Sequence, residues 1–131
     1  MKLENLFEMY TAYVLNPSAK ERLVQLFPPK YPEAVGHHIT IQFGVPSNTP
    51  TPEPAQNVQV VGYADDGEGL EALVVAVNGK VKRPDGSMYH ITWSLDRSKG
   101  KKPVQSNALV QKGYERTTAP ITIGTTPEVL R

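Results

Sequence analysis

The sequence predicts a single domain made of several short strands and few helices. With 131 residues, the chain has the length of one typical domain. Its 12 prolines and 10 glycines imply many turns and short elements, which argues against a helical bundle or a coiled coil. Several segments alternate polar and apolar residues between turn signals, which is the pattern of strands with one buried face.

The predicted strands are identified by this alternation or by β-branched and aromatic composition. In chain order they span residues 11–15, 37–43, 58–64, 70–77, 89–95 and 121–123. Asn78-Gly79 is a strong hairpin signal and predicts that the strand ending at Val77 turns back along residues 80–82. Four prolines within residues 44–56 predict an irregular surface loop.

Three segments have helical signals. Residues 3–9 carry apolar side chains at helical spacing, and Ser106 could cap a short helical turn through residue 109. The clearest helix start is Ser18, which forms a capping box with Glu21 before an apolar run. Pro28-Pro29 ends this helix.

The charge balance and the residue types present exclude several classes of protein. Fourteen Lys and Arg residues against 13 Asp and Glu leave a formal net charge of +1. This even balance argues against strong binding to a DNA duplex or an anionic membrane, so phosphate recognition must be local. The chain has no cysteine, which excludes disulfides and cysteine nucleophiles. No long apolar run occurs, and we expect a soluble cytoplasmic protein without a membrane or protein partner.

Two segments of the chain are similar to each other, His38-Ile39-Thr40-Ile41 and His90-Ile91-Thr92-Trp93. Residues i and i+2 of a strand point to the same face, so each imidazole is expected beside a hydroxyl while the apolar side chains point into the core. The same alternation adds Gln42 to the first polar face and Ser94 to the second. If the two strands lie side by side or face each other across a groove, two imidazoles and two hydroxyls converge.

This set of side chains suits phosphodiester chemistry. Displacement at phosphorus needs a base for the attacking hydroxyl or water and an acid for the leaving oxygen, and His38 and His90 can supply both near neutral pH. Thr40 and Thr92 can donate hydrogen bonds to the nonbridging phosphate oxygens. The reaction requires no metal, and no spacing typical of a metal site occurs, so we predict no metal and no cofactor.

The alternative interpretation of the motifs is structural, since histidine is often a structural residue and threonine is common in strands. The repetition weighs against it. Thr makes up about 8% of the chain, so its presence two places after both His38 and His90 has a chance probability on the order of one in a hundred. The third histidine, His37, is expected on the face of Ile39 and Ile41, as a structural residue or at the lip of the site.

The paired motifs resemble those of the 2H phosphoesterase superfamily. Its members include RNA 2',3'-cyclic phosphodiesterases, the cyclic phosphodiesterase domains of fungal and plant tRNA ligases, and phage proteins that cleave cyclic nucleotide immune signals. The similarity covers about residues 10 to 110, and in the C-terminal half it is to the tRNA-ligase-like branch. Outside the motifs it is carried by residues 10–15, the helix from Ser18, and residues 60–65, 71–75 and 103–107.

The resemblance implies a bilobal α+β fold, in which two small antiparallel sheets face a central cleft and each contributes one motif. It also implies that His38 and His90 are the acid and base pair, in either order, and that Thr40 and Thr92 bind phosphate. Positions 38 and 90 are only 52 residues apart, fewer than in larger members, and no helix signal lies between them. The C-terminal lobe is therefore expected to have lost its helix.

The predicted function is metal-independent hydrolysis of the 2',3'-cyclic phosphates of nucleotides or RNA ends, and the resemblance favours a 2'-phosphate product. Cleavage of 3'-5' linkages in cyclic oligonucleotide signals needs the same groups and stays open, as does nucleotide binding without cleavage. Tyr13 could stack on a base. Lys101, in the basic loop of residues 96–103, could approach a phosphate, although a solvated turn is the alternative for that loop.

Overall fold

The computed structural model describes residues 8–131, which form eight strands and two α-helices. In chain order these are β1 (Met9–Leu15), α1 (Pro17–Leu26), β2 (Glu33–Ala34), β3 (His38–Val45), β4 (Val58–Asp65), β5 (Leu70–Val77), β6 (His90–Leu95), α2 (Ser106–Gln111), β7 (Glu115–Thr122) and β8 (Thr125–Leu130). Two short 3-10 turns, Arg97–Lys99 and Pro103–Gln105, lie between β6 and α2. Of the helix predicted over residues 3–9, residues 3–7 lie outside the described residues, and Met9 begins a strand instead.

The strands form two antiparallel sheets. The smaller sheet has the strand order β3-β1-β8 and the larger one the order β2-β6-β5-β4-β7. All pairings between them are antiparallel. The predicted α+β class, with two antiparallel sheets and few helices, is thus confirmed. Neither helix of residues 8–131 is long and apolar enough to cross a membrane.

The two sheets and α1 share one hydrophobic core. Tyr13 of β1, Ile39 of β3, Trp93 of β6 and Leu23 of α1 are all buried in it. The apolar faces of both sheets are therefore covered by each other and by α1, because burying that surface is the main favourable contribution to folding.

The second helix, α2, covers the opposite face of the larger sheet. Its Val110 is buried against Ala72 and Val74 of β5 and Ala64 of β4. All eight residues of β5 are buried, because the strand is covered on both faces. As expected, no helix lies between His38 and His90. The larger sheet nevertheless has a helix packed on it, because α2 follows β6 and contacts β5 and β6.

The start of α1 differs from the predicted capping box. The helix begins at Pro17, and its N-cap is Asn16 rather than Ser18. Proline suits the first helical position, because its fixed φ matches the helix and its missing N–H has no intrahelical partner there. The Asn16 side chain is bonded elsewhere, since its Oδ1 accepts a hydrogen bond from the Thr126 hydroxyl at 2.9 Å.

The C-terminal segment contains one strand more than the sequence predicted. Residues 121 and 122 end β7, which begins at Glu115, and the chain returns as β8. No strand was predicted after residue 123, and β8 contains Pro127. β8 lies at the edge of the smaller sheet, where the N–H that proline lacks is not needed on the open side.

The predicted hairpin at Asn78-Gly79 is confirmed. Val77 and Lys80 exchange backbone hydrogen bonds of 2.8 and 3.0 Å across the turn. Both turn residues have positive φ, 50° and 81°, as the tight turn of such a hairpin requires. The predicted strand over residues 80–82 forms only isolated bridges, at Lys80 and Lys82.

A buried carboxylate ties the chain after α1 to the larger sheet. Glu71 of β5 is 1% exposed. Its Oε1 accepts hydrogen bonds from the Lys30 backbone N–H at 2.8 Å and from the Ser94 hydroxyl at 2.6 Å. Its Oε2 accepts one from the Tyr63 hydroxyl, which raises the pKa of Tyr63 together with burial. Three donors therefore depend on one side chain.

Replacement of this carboxylate tests its contribution to the fold. Glu71→Ala leaves three donors without their acceptor, so we expect the free energy of unfolding to fall by about 3 kcal/mol in urea denaturation. The matched control is Glu68→Ala in the neighbouring turn, where the side chain is 78% exposed. The control is expected to stay within about 0.5 kcal/mol of the unsubstituted protein. Equal stability of the two variants would contradict a structural role for Glu71.

Candidate active site

The two motifs begin two strands that belong to different sheets but approach each other. His38 is the first residue of β3 and His90 the first residue of β6. The two strands come within 8 Å between Cα atoms. The chain that leads into β3 is also bonded to β6, because the Gly36 N–H donates to the Thr92 carbonyl at 3.0 Å. Backbone bonding thus holds the start of the first motif against the second.

Trp93 of the second motif fixes this approach. Its ring lies so close to Gly36 that a Cβ added there would be 2.8 Å from Cζ3, which leaves room only for glycine. Gly36 also has a φ of +46°, a conformation that side chains disfavour. The indole N–H donates to the Phe27 carbonyl at 2.7 Å, and the Trp93 carbonyl accepts from the Val35 N–H at 2.9 Å. Trp93 therefore holds both the end of α1, through its side chain, and the turn before His37, through its ring and its backbone carbonyl.

The similarity of the motifs extends to their surroundings in the sheets. Each histidine is paired with a valine and each threonine with an alanine of the neighbouring strand. The pairs are His38 with Val14, Thr40 with Ala12, His90 with Val74, and Thr92 with Ala72. In both strands the register shifts directly after the threonine, so Ile41 and Trp93 are the extra residues of two β-bulges.

These bulges correct the predicted extent of the polar faces. A bulge adds one residue, so the alternation of faces changes phase after it. Gln42 is exposed but does not line the pocket of the motifs, and Phe43 lines it instead. Ser94 also lies outside that pocket, where its hydroxyl is bonded to Glu71. The sequence contains no signal for either bulge, because the pattern of residues is regular there.

All four motif side chains line one pocket of about 380 Å³, a volume within the range of small-molecule sites. The other lining residues come from β1, from β3 and the segment before it, from the 3-10 turn Pro103–Gln105 and from α2. They are Tyr10, Val35, His37, Phe43, Pro103, Val104 and Asn107. Within residues 8–131, no group of three or more His, Cys, Asp or Glu side chains is arranged to hold a metal ion.

His90 is held by a backbone carbonyl. Its Nδ1 lies 2.9 Å from the Met88 oxygen. Because a carbonyl oxygen only accepts, Nδ1 carries the proton and Nε2 is the nitrogen left for a ligand. Burial lowers the pKa of His90 below its ordinary value, the bond to Met88 raises it in part, and the nearby charge of Arg83 lowers it further.

His38 is surrounded by other rings. Its Nδ1 lies 3.0 Å from Nδ1 of His37, and its ring centroid is 5.2 Å from that of Tyr10. Burial lowers the pKa of His38 to about 4, and repulsion from His37 and His90 contributes to this shift. His38 is therefore neutral at pH 7.

His37 lies at the lip of the site, one of its two expected positions. It was expected on the core face of Ile39 and Ile41, but it is exposed, lines the pocket and contacts His38. The alternation of a strand does not apply to it, because β3 begins one residue later.

The two threonines are held differently. Thr40 is 6% exposed and lies in the middle of the pairing between β3 and β1. The Thr92 hydroxyl lies 2.9 Å from the Ser106 hydroxyl and 3.4 Å from the Pro103 carbonyl oxygen. Ser106 was predicted to cap a helical turn, but it is the first residue of α2 and its buried hydroxyl contacts Thr92 instead.

Arg83 is a functional candidate that the sequence did not reveal, because it lies in a Pro-Asp-Gly turn like many exposed residues. It is 5% exposed, and its Nη1 is buried without a hydrogen-bond partner. Its Nε donates to Asp85 at 3.0 Å and its Nη2 to Asn107 at 3.4 Å. The guanidinium also lies 5.5 Å from the ring centroid of Phe43. Since Asn107 and Phe43 line the pocket, Arg83 supports its wall and adds positive charge beside it.

The two further candidates for substrate contact lie outside this pocket. Tyr13 is 8% exposed in the core, and its hydroxyl donates to the Glu53 carbonyl at 3.1 Å. Lys101 is bonded to Asp66 at 2.9 Å and lines a separate cavity of about 700 Å³ beside α2. Arg97 of the same basic loop is paired with Glu33 at 2.6 Å. Arg97 and Lys101 are thus engaged with carboxylates away from the motifs.

Titration of the histidines by NMR tests the burial of the site. His38 is expected to stay neutral to about pH 4, because its charged form loses hydration in the pocket. The measurement is the ring ¹³C and ¹⁵N shift of each histidine between pH 3 and 8, with the protein in urea as the control. In urea His38 is expected to titrate near pH 6.5, the ordinary value for histidine. A folded-state midpoint at 6.5 or above would contradict the described burial.

Comparison with known proteins gave no relative of this chain. A scan against protein-family models found no matching family, and searches of curated proteins and of solved structures found no match. The function inferred for this chain therefore depends on the two motifs and the pocket that they share.

Proposed function

We propose that the protein is a metal-independent phosphodiesterase that hydrolyses the 2',3'-cyclic phosphates of nucleotides or RNA ends. The observation that carries the proposal is the convergence of the two His-x-Thr motifs, 52 positions apart at 38 and 90, in one pocket. The matched strand pairing and matched bulges give the two halves of the site the same local geometry. A chance pair of structural histidines would not need this symmetry.

The two imidazoles divide the proton transfers of the reaction. One Nε2 takes the proton of the attacking water, and the other delivers a proton to the departing ribose oxygen. Each such transfer contributes about 10²- to 10⁴-fold to the rate of an enzyme. Thr40 and Thr92 donate hydrogen bonds to the nonbridging oxygens, where negative charge develops as the bond to water forms. The Ser106 hydroxyl lies 2.9 Å from that of Thr92, so Ser106 can donate to Thr92 Oγ1 and leave the Thr92 proton for the phosphate.

The walls of the pocket fit a small substrate with one apolar side. Phe43 and Val104 line the pocket, although 53% and 67% of their surfaces are exposed to solvent. The Tyr10 ring lies 5.5 Å from Phe43. Such surfaces suit the flat face of a base. The volume of about 380 Å³ accommodates one nucleotide unit rather than a duplex.

Charge in the site also favours a single phosphate. Arg83 is the buried cation beside the pocket, and its free Nη1 keeps part of its hydrogen-bonding capacity unused. Two basic residues of the loop after β6, Arg97 and Lys101, are paired with carboxylates and lie outside the pocket. A single buried guanidinium beside the pocket suits one phosphate rather than an extended backbone of phosphates.

Activity on defined substrates tests the proposal. In the presence of EDTA, the purified protein is expected to open 2',3'-cyclic mononucleotides. His38→Ala and His90→Ala are each expected to reduce kcat by at least about 100-fold, since each removes one proton-transfer group. Gln42→Ala is the matched control, because Gln42 lies on the same strand as His38 but outside the pocket, and it is expected to keep the full rate.

The same assay distinguishes the other outcomes. Cleavage of cyclic dinucleotides with no opening of 2',3'-cyclic phosphates would assign the pocket to 3'-5' linkages. Calorimetric binding of these nucleotides without turnover, retained in a His38→Ala, His90→Ala double variant, would indicate a binding module. Neither turnover nor binding by the folded protein would reject the proposed function.

The pH dependence of kcat/KM gives an independent test. The base must be unprotonated in the free enzyme, and burial lowers the pKa of both His38 and His90. As pH falls, activity is therefore expected to be lost with a midpoint below 6.5, whichever histidine is the base. A midpoint near 4 would identify His38 as the base. If activity is lost as pH falls with a midpoint above 6.5, that result would contradict catalysis by these buried imidazoles.

A further inference from the structure

We infer that His37 is a positioning residue of the proposed reaction. It passes a proton to His38, and His38, which is the acid, delivers a proton to the substrate. The Nδ1 atoms of the two rings lie 3.0 Å apart, and both rings line the pocket. The rings meet edge to face, with centroids 5.2 Å apart. The inference rests on the proposed function, because it assigns the acid and base roles within the same pocket.

The role of base falls to His90. The carbonyl of Met88 keeps the proton of His90 on Nδ1, so neutral His90 presents an unprotonated Nε2. Burial and the charge of Arg83 both favour this neutral form. A buried imidazole with a fixed tautomer is ready to accept a proton from water.

His38 differs from His90 because the partner of its Nδ1 is a second ring nitrogen, which can donate or accept a proton. Two unprotonated Nδ1 atoms at 3.0 Å would repel each other, so one proton must lie between them. We assign it to Nδ1 of His37, because the exposed ring of His37 can exchange protons with solvent, whereas His38 is less exposed in the pocket. Tyr10 on β1 and His90 on β6 are the other titratable groups beside His38. Neutral His38 then carries its own proton on Nε2, the nitrogen left for the substrate.

The step balances without a further reactant. The water oxygen forms a bond to phosphorus, and His90 Nε2 takes the proton of that water. The bond between phosphorus and the ribose oxygen breaks, its electron pair stays on that oxygen, and the oxygen takes the proton from His38 Nε2. At the same time His37 passes its Nδ1 proton to His38 Nδ1, and Nε2 of the exposed His37 ring takes a proton from solvent. His37 and His38 thus both stay neutral, the solvent loses one proton and His90 gains one. His90 later returns its proton to the solvent, and exchange with solvent restores the starting tautomers.

Two variants of His37 separate this role from a purely structural one. His37→Ala removes both the hydrogen bond and the titratable group. His37→Asn keeps an N–H that can donate to His38 Nδ1 but cannot ionise. The control is Gln42→Ala, because Gln42 lies on β3 but outside the pocket. Each protein is assayed on 2',3'-cyclic AMP for kcat, KM and pH dependence, with and without added imidazole, and the His38 tautomer is read from ¹⁵N NMR without substrate.

The expected result is a loss of kcat of about tenfold or more in both His37 variants, with KM within about threefold of the original, because the proton supply is lost and not the binding. The optimum of the pH profile moves to lower pH, since buried His38 must then carry the charge itself. Imidazole restores part of the rate of His37→Ala, because the position is exposed. The His38 proton is on Nε2 in the original protein and in His37→Asn.

Other results would overturn the inference. An unchanged kcat and pH profile in His37→Ala would do so while leaving the proposed function in place. Full activity of His37→Asn would show that the hydrogen bond matters and the proton supply does not. A His38 proton on Nδ1 in the original protein would exclude the assigned direction of transfer. If the original protein opens no cyclic phosphate, both the proposed function and this inference fail together.

Discussion

The pocket depends on the close contact between Trp93 and Gly36. The indole fills the core beside β6, and the chain can pass over it only because Gly36 has no side chain. This passage brings the chain from β2, in the larger sheet, into β3, in the smaller one, within four residues. The hydrogen bond from Gly36 to the Thr92 carbonyl then sets His37 and His38 beside the second motif.

Burial of the imidazoles is the second constraint on the site. Removing a histidine from water disfavours its charged form, and a cation on one ring further disfavours charge on its neighbours. Three rings share this pocket, and burial together with the charges of the other two rings lowers the pKa of His38 to about 4. Exposure differs among them, since His37 lies exposed at the lip and the other two rings are less exposed.

The pattern of the sequence predicted the strands well where one face is buried and the other polar. It predicted the hairpin at Asn78-Gly79 because only a few residue types tolerate the positive φ of such a turn. It missed β8, because Pro127 is compatible with a strand only at an edge, and the edges of a sheet are not visible in a sequence. It misplaced the start of α1, where Asn16 is bonded to distant Thr126. It extended the polar faces to Gln42 and Ser94, because the bulges leave no mark in the residue pattern.

The sequence by itself determined the class of the fold, the two His-x-Thr motifs and the chemistry that they favour, since these depend on residue type and local period. Only the tertiary structure decided that the motifs meet in one pocket, that Phe43 and Arg83 belong to its surroundings, and that Tyr13 and Lys101 do not. The physical reason is that pairing between strands and contacts across the core join residues far apart in the chain. Bulges and burial then decide which faces these residues present and which charges they can carry.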